Sequence, residues 1–501
     1  MPACSPFIRR CATMLGLAVV ASPATASAQS DPPAQTSAVS LADALRLASQ
    51  VSHSVRTAEA GVLRARGQEY QARAQYFPQL NFTGGYQRTL ESQFAAISKS
   101  GSGGDSSSGS GSSSGGSSSN SSLSNISKIF AAPNTITLGL SLSQNLFTAG
   151  KVEAANRGAD AAQLVSLIGL DAAKAQLVLD VAQAYFDAVA SEQLVQIADS
   201  TLAQAERTLQ QTEISRQVGS AAEFDLLRAR VARDNQRPVV IQARGNRDIA
   251  FLRLRQLLGV PLSRPLALTT PIRDDGAVEA DARPLELSRP IVVPGGERGL
   301  VPDTSVARRS SVRQAEANMT AQESALRAAR WERLPSFQFT SLYQRFGYPA
   351  EGTILPNSFA AFYPNWTATL GFSFPILTGG RLSGDRMQAE ANLIEARQTL
   401  EQTRELAALD ARQALTQYEQ TLAAYAASVG TDQQAAKAYA IAEVRFREGI
   451  STQVELQQSR TQYEQARLNR VTAARDLEVA RLKVALLKDL PVGGTAAVSR
   501  R

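Results

Sequence analysis

Histidine and cysteine are almost missing from this chain: His53 is the one histidine in 501 residues, and Cys4 and Cys11 are the two cysteines. A single histidine excludes Ser-His-Asp, Cys-His and multi-histidine metal sites, and His53 lies among polar residues where a solvated role is expected. Gly150-Lys151 lacks the upstream glycine of a phosphate-binding loop and is followed by Val152. The chain therefore shows no means of hydrolysing nucleotide; neither enzymatic activity nor a cofactor or metal is expected. Aromatics make up only 6% of the residues, which fits long helices better than compact cores. Beyond the N-terminal segment there is no run of 18 apolar residues, so no transmembrane helix is expected and any membrane role must use strands. The formal charge of +7 is spread too evenly to point to nucleic acid.

The N-terminus reads as a secretory leader over residues 1–28: Arg9 and Arg10, an apolar stretch from Met14 to Val20, then Ala26, Ser27 and Ala28 as a small-residue cleavage site. Both cysteines fall inside it, so the mature chain would depend on no disulfide.

One long unit occurs twice. SVRTAEA at Ser54 to Ala60 returns as SVRQAEA at Ser311 to Ala317, and Pro78 returns as Pro335, both at an offset of 257. Further on the offset is 230: Leu146 to Lys151 (LFTAGK) matches Ile376 to Arg381 (ILTGGR), and Val218 to Arg230 matches Glu448 to Arg460. The register slips once, where the first copy carries a Gly/Ser tract over about 98–125 that is too poor in apolar residues to order itself. A fixed internal period marks a repeated structural unit, and the units span 29–265 and 304–490. Between them, residues 260–305 are rich in Pro and Arg and are expected to form an irregular collar with short helices. Residues 491–501 form a tail.

Four segments have the two-residue period of strands, at about 80–90, 134–147, 336–346 and 365–376. Ile136, Leu138, Leu140 and Leu142 alternate with Thr and Ser, and Trp366, Leu370, Phe372 and Phe374 behave alike. Alternation alone is equally compatible with a small sheet packed on helices and with a transmembrane barrel. A length of about ten residues, enough to cross a bilayer when tilted, and Tyr363, Trp366 and Phe374 placed near the ends favour the barrel. Four strands are too few to close one; three copies in a symmetric oligomer would supply twelve.

Gly150 to Gly219 and Gly380 to Gly449 bracket equal intervals without proline, room for helices of roughly 100 Å. Leu194, Ala198, Thr201, Ala205 and Leu209 step by three and four, as do Leu164, Ile168, Ala175, Val178 and Ala182 in looser form, a coiled-coil-like seam rich in small residues. Gly219 and Gly449 reverse the chain, giving helical hairpins over 150–258 and 380–490. Pro238 is expected to end or kink the first return helix.

Leader, then twice helix, proline, strand, loop, strand, glycine, long helix, glycine tip and return helix: this order resembles the TolC-like outer-membrane efflux proteins from about Leu41 to Leu490. The motifs that carry the likeness are SLADALRLA, the helix-strand transitions at Pro78, Gly150, Pro335 and Gly380, and the tips QVGSAAEFDLLRAR and RFREGISTQVELQQSR. The resemblance implies a mainly α fold with a membrane β-barrel: a homotrimer in which four strands per protomer build a 12-stranded barrel, joined to a long α-helical coiled-coil barrel. It implies a place in the cell outer membrane, in contact with its lipid, as the exit duct of a tripartite export system or of type I secretion. A periplasmic adaptor would dock at Gly219, Ser220, Gly449 and Ile450, and an inner-membrane RND, ABC or MFS transporter would supply the energy. Docking would open the tips like an iris.

By the same resemblance the pore gate acids fall six residues past each tip glycine, on Asp225 and Glu455, and three copies of Glu455 would form a cation-favouring ring. The family's tyrosine and arginine lock is absent, because Phe446 and Ser451 stand at those positions; Arg216, Arg445 and Arg447 are candidate replacements. The alternative from another class is a non-conducting periplasmic coiled-coil adaptor or scaffold. The four amphipathic strands, at equivalent places in both repeats, speak against it.

Overall fold

The structure is a computed structural model and describes residues 37–90, 134–220, 222–272, 305–349 and 362–492. The expected leader, the Gly/Ser tract and most of the collar and tail lie outside the described residues.

In chain order the elements are β1 (Ser37–Val39), α1 (Leu41–Val51), α2 (His53–Ala74), β2 (Gln79–Arg88), β3 (Asn134–Phe147), α3 (Lys151–Gln217), α4 (Glu223–Leu258), β4 (Leu266–Leu268), α5 (Ser310–Trp331), β5 (Ser336–Gly347), β6 (Phe362–Ser373), α6 (Arg381–Arg447) and α7 (Gln453–Ala485). A 3-10 turn, Val306–Arg308, precedes α5. The chain is mainly helical, and no described helix is long and apolar enough to cross a membrane.

Two helices dominate, α3 and α6, each of 67 residues. Both start after a glycine in the left-handed region, Gly150 at φ 78° and Gly380 at φ 88°. Both also end alike. The amide of Ser220 donates to the Ser215 carbonyl at 2.8 Å and that of Gly219 to Arg216, while Ile450 donates to Arg445 at 2.8 Å and Gly449 to Phe446. This double bond pattern closes a helix on a left-handed residue, which explains glycine at both tips. Around the long pair the helices stand side by side: toward the tips in the order α4, α3, α7, α6, and toward the strands in the order α2, α3, α5, α6.

The main core sits halfway along the long helices. There Tyr185 and Phe186 of α3, Leu254 and Leu258 of α4, Tyr418 and Tyr425 of α6, and Leu477 and Val484 of α7 pack together with α1 and the short parallel pair β1 and β4. The buried Tyr185 hydroxyl donates to the Val39 carbonyl at 3.1 Å and accepts from the Thr270 amide at 2.9 Å, pinning both short strands to the long helix. Ion pairs cross the same belt, with Arg475 on Asp187 and Arg470 on Asp432.

Two expectations need correction, and the collar is described only at its start. α4 runs unbroken through Pro238: proline removes one amide donor, and the flanking turns packed along α3 hold the helix together. The described start of the collar, residues 260–272, holds the strand β4, whose Leu-Ala-Leu pairs with β1; residues 273–304, where short helices are expected, lie outside the described residues. Finally, β6 begins at Phe362, so Trp366 is its fifth residue and stands inside the strand.

Candidate functional site

Strands β2, β3, β5 and β6 form one antiparallel sheet in that order, and β2 and β6 are edges without a partner among the described residues. The pairing register sorts the side chains. Leu80, Phe82 and Tyr86 lie opposite Leu142, Leu140 and Ile136; Leu140 lies opposite Tyr343; Phe337, Phe339 and Tyr343 lie opposite Phe372, Leu370 and Trp366. Directly paired residues share a face, so one face is apolar across all four strands. The other is mostly polar, carrying Asn81, Thr83, Thr137, Ser141, Gln338, Thr340, Thr367 and Thr369 with Leu342, Phe346 and Tyr363 among them. The apolar face is open to its surroundings: Phe82 is 71% and Trp366 75% exposed. An exposed apolar surface of this extent marks a partner or membrane contact.

Where strands meet helices, one carboxylate serves both halves of the chain. Glu332, after α5, accepts from Lys151 Nζ at 2.8 Å and from Arg381 Nη1 at 3.4 Å, the first residues of α3 and α6. Gly150 lies against Trp331 so closely that a Cβ would sit 2.5 Å from the indole ring. The hydrogen bond from Lys151, helped by Arg381 and opposed by burial, holds the Glu332 carboxyl below the usual carboxylate range. A depressed folded value means that the clasp stabilises above the unfolded pKa of about 4.3 and is lost as pH falls through the lower folded value. Glu332→Gln is therefore expected to lower stability at pH 7, with the gap to the parent closing at acid pH below about 4. Denaturant titrations at both pH values check this, and a gap independent of pH would refute it.

At the opposite end the two tips use their charges locally. Arg216 pairs with Glu223 across the first turn, and Arg445 Nη1 lies 3.7 Å from Glu455 Oε1 across the second. Arg447 lies 3.9 Å from Glu443 on its own helix. Asp225 and Glu455 occupy the same place, the third residue of α4 and of α7. Glu455 is exposed, accepts from Ser451 Oγ at 2.7 Å, and has its amide capped by Thr452 Oγ1. Ser451 thus holds a carboxylate within its own hairpin. Phe446 packs beside Tyr439, Ala442, Leu456 and Tyr463. Among the described residues the three candidate arginines are committed inside single hairpins.

Sequence reasoning missed one group. Arg460 of α7 is buried at 4% exposure, and its Nε and Nη2 have no partner among the described residues. Beside it Tyr439 and Tyr463 stack at 5.7 Å, with Arg467 over the Tyr463 ring. Burial pushes the Glu464 carboxyl up, opposed by Arg460 and Arg467. The repeat register aligns Arg460 with Arg230, which pairs loosely with Glu213; that parity was visible, but the burial of only one of the two was not.

A family profile described as "Outer membrane efflux protein" matches residues 44–260 and 301–487. The pyoverdine export outer membrane protein OpmQ of Pseudomonas putida is 28% identical over 227 residues, covering 44% of this chain and 42% of that protein. Among solved structures, the CmeC outer membrane channel of Campylobacter jejuni superposes with a TM-score of 0.67 at 16% identity, over 90% of this chain and 86% of that one. The outer membrane protein VceC of Vibrio cholerae gives 0.66 at 17% identity, over 89% and 95%. At such identities the structural likeness carries the fold.

Proposed function

Because the chain belongs to the outer membrane efflux protein family, we propose that it is an outer-membrane export channel, closed by three copies and extended through the periplasm by its long helices. The observation that carries this is the four-stranded sheet, apolar on one face, polar on the other and open at both edges. Free edges of this kind call for pairing. If β6 of one copy pairs with β2 of the next, twelve strands enclose the polar face and turn the apolar face to lipid.

The helices support the same closure. The outermost helices of the four-helix layer, α4 and α6, keep Leu227, Val231, Ile241, Ile441 and Val444 exposed in the single chain, and each can cover the other around a ring. Helices of 67 residues reach about 100 Å, a periplasmic tunnel with the hairpin tips at its far end. There Gly219, Ser220, Gly449 and Ile450 are the surface offered to a periplasmic adaptor, through which an inner-membrane transporter drives transport. Asp225 and Glu455 are the gate acids, and opening is an iris-like spreading of the hairpins. OpmQ is named for pyoverdine export; for this chain, a duct lined by amides and hydroxyls leaves the choice of cargo to the pump.

Replacing Glu455 by Gln is expected to lower the preference for cations over anions, read as the reversal potential of single channels in a salt gradient. Unchanged selectivity would remove Glu455 from the gate. The reading as a whole is tested by the protein mass of the detergent-extracted protein from light scattering, followed by bilayer conductance. A conducting trimer is expected; a monomer released from membranes by salt alone would make the protein a helical scaffold.

A further inference from the structure

The four described strands contain no Asp, Glu or Lys, and their two arginines, Arg88 and Arg345, stand toward the ends away from the helices. Leaving each strand at its helix end, the first charged residue is basic in every case: Arg73 before β2, Lys151 after β3, Arg333 before β5 and Arg381 after β6. Two of these oppose the local field. Lys151 and Arg381 open α3 and α6, at the helix end where the backbone dipole favours acids. Helix formation does not select a cation there, so another requirement must.

All four side chains face solvent, Lys151 at 54% and Arg381 at 58% exposure. Tyr76, Phe77, Trp331 and Leu334 are exposed in the same layer. Aromatic rings and basic heads at the border of an apolar sheet are the side chains that a membrane interface stabilises. Much of the charge is already answered: Glu332 takes Lys151 and Arg381, Asp385 takes Arg381 as well at 2.9 Å, and Arg73 lies beside Glu69 and Asp160. Arg333 is not answered. Its Nη2 donates to Ser383 Oγ at 3.3 Å, and it meets no carboxylate among the described residues.

We propose that Arg73, Lys151, Arg333 and Arg381 form a cationic belt that binds the phosphate headgroups of anionic phospholipids in the leaflet meeting the helix end of the sheet, with Arg333 as its least committed member. The proposal rests on the membrane reading above, and three copies would place twelve cations in the belt. It gives the barrel a fixed depth: apolar strands in the hydrocarbon, cations on the headgroups.

The test is native mass spectrometry of the full-length protein in detergent, titrated with phosphatidylglycerol or with phosphatidylethanolamine, alongside conductance measurements on the same preparation. The parent is expected to bind phosphatidylglycerol more tightly, and less so in high salt. Arg73→Gln with Arg333→Gln should weaken that binding about five-fold per cation removed and leave phosphatidylethanolamine unchanged. Arg64→Gln with Arg66→Gln removes the same charge further down α2 and should change neither. Equal affinity of the parent for both lipids, or equal losses in the two variants, would overturn the belt. So would displacement of phosphatidylglycerol by inorganic phosphate beyond that by chloride at matched ionic strength, since the site would then be a plain anion site. A protein that conducts without lipid preference refutes the belt alone, whereas one that never inserts refutes the channel and the belt together.

Discussion

Export is expected to stop when cysteines introduced at Ser220 and Ile450 are bridged between neighbouring hairpin tips, and to return when the bridge is reduced. The tips are the only described parts of the long helices where chain direction reverses on a single left-handed glycine, and no apolar cluster larger than five buried and half-buried residues holds either one. Each hairpin closes its own salt bridges, Arg216 with Glu223 and Arg445 with Glu455. A hairpin that satisfies its own charges can swing as a rigid body without leaving them unpaired, and a covalent tie between neighbours removes that motion. With both natural cysteines at Cys4 and Cys11, far in sequence from either tip, the bridge can be scored cleanly. Export that continues with the bridge intact would mean that cargo leaves without the tips parting.

The largest stability effect is expected at Asp410. Its carboxylate lies 2.5 Å from Arg309 Nη2, and Arg309, immediately before α5, is fully buried with Nε and Nη1 unpartnered. Next to it the Ser310 hydroxyl donates to the carbonyl of Asp489 or Leu490, so Arg309 and Ser310 together tie the start of α5 to the middle of α6 and to the turn that follows α7. Asp410→Ala leaves a buried guanidinium with no counter-charge and should cost about 3–5 kcal/mol. Replacing both partners, Arg309→Met with Asp410→Ala, should recover most of that loss, because burying the ion pair is itself costly. Denaturant unfolding of the detergent-solubilised protein measures both. A loss below about 1 kcal/mol in the single variant, the size of an exposed pair, would show that Arg309 finds water or another partner.

Much of this molecule could be read from local pattern. The proline-free intervals from Gly150 and from Gly380 correspond to α3 and α6 because helix length, capping glycine and small-residue seam act over short distances. The alternation of Ile136 to Leu142 lies inside β3 for the same reason. What stayed hidden depends on contacts between distant segments. Nothing in residues 134–147 announces that β3 pairs with β5, or that β1 runs parallel to β4. Glu332 looked like any helix-end acid, and only the meeting of Lys151 with Arg381 makes it a clasp. At the tips the repeat register put Asp225 and Glu455 at equivalent positions, yet the partners of Arg216 and Arg445 depend on how each hairpin folds back. Pro238 misled because propensity is a local cost that a long packed helix outweighs.

The β3–β5 pairing joins residues roughly 200 positions apart, separated by both helices of the first hairpin, and such distant closures are slow to form. Until they form, and in the proposed trimer until a second copy covers β2 and β6, the chain presents two raw strand edges beside an uncovered apolar face, the combination most prone to aggregate. Folding and assembly are thus one kinetic problem. The helices, stabilised by near neighbours, are free to form early, and in the proposed channel the sheet must wait for its bilayer and its neighbours. An unassembled copy is a hazard rather than a reserve, which sets a premium on escort from translocation to insertion.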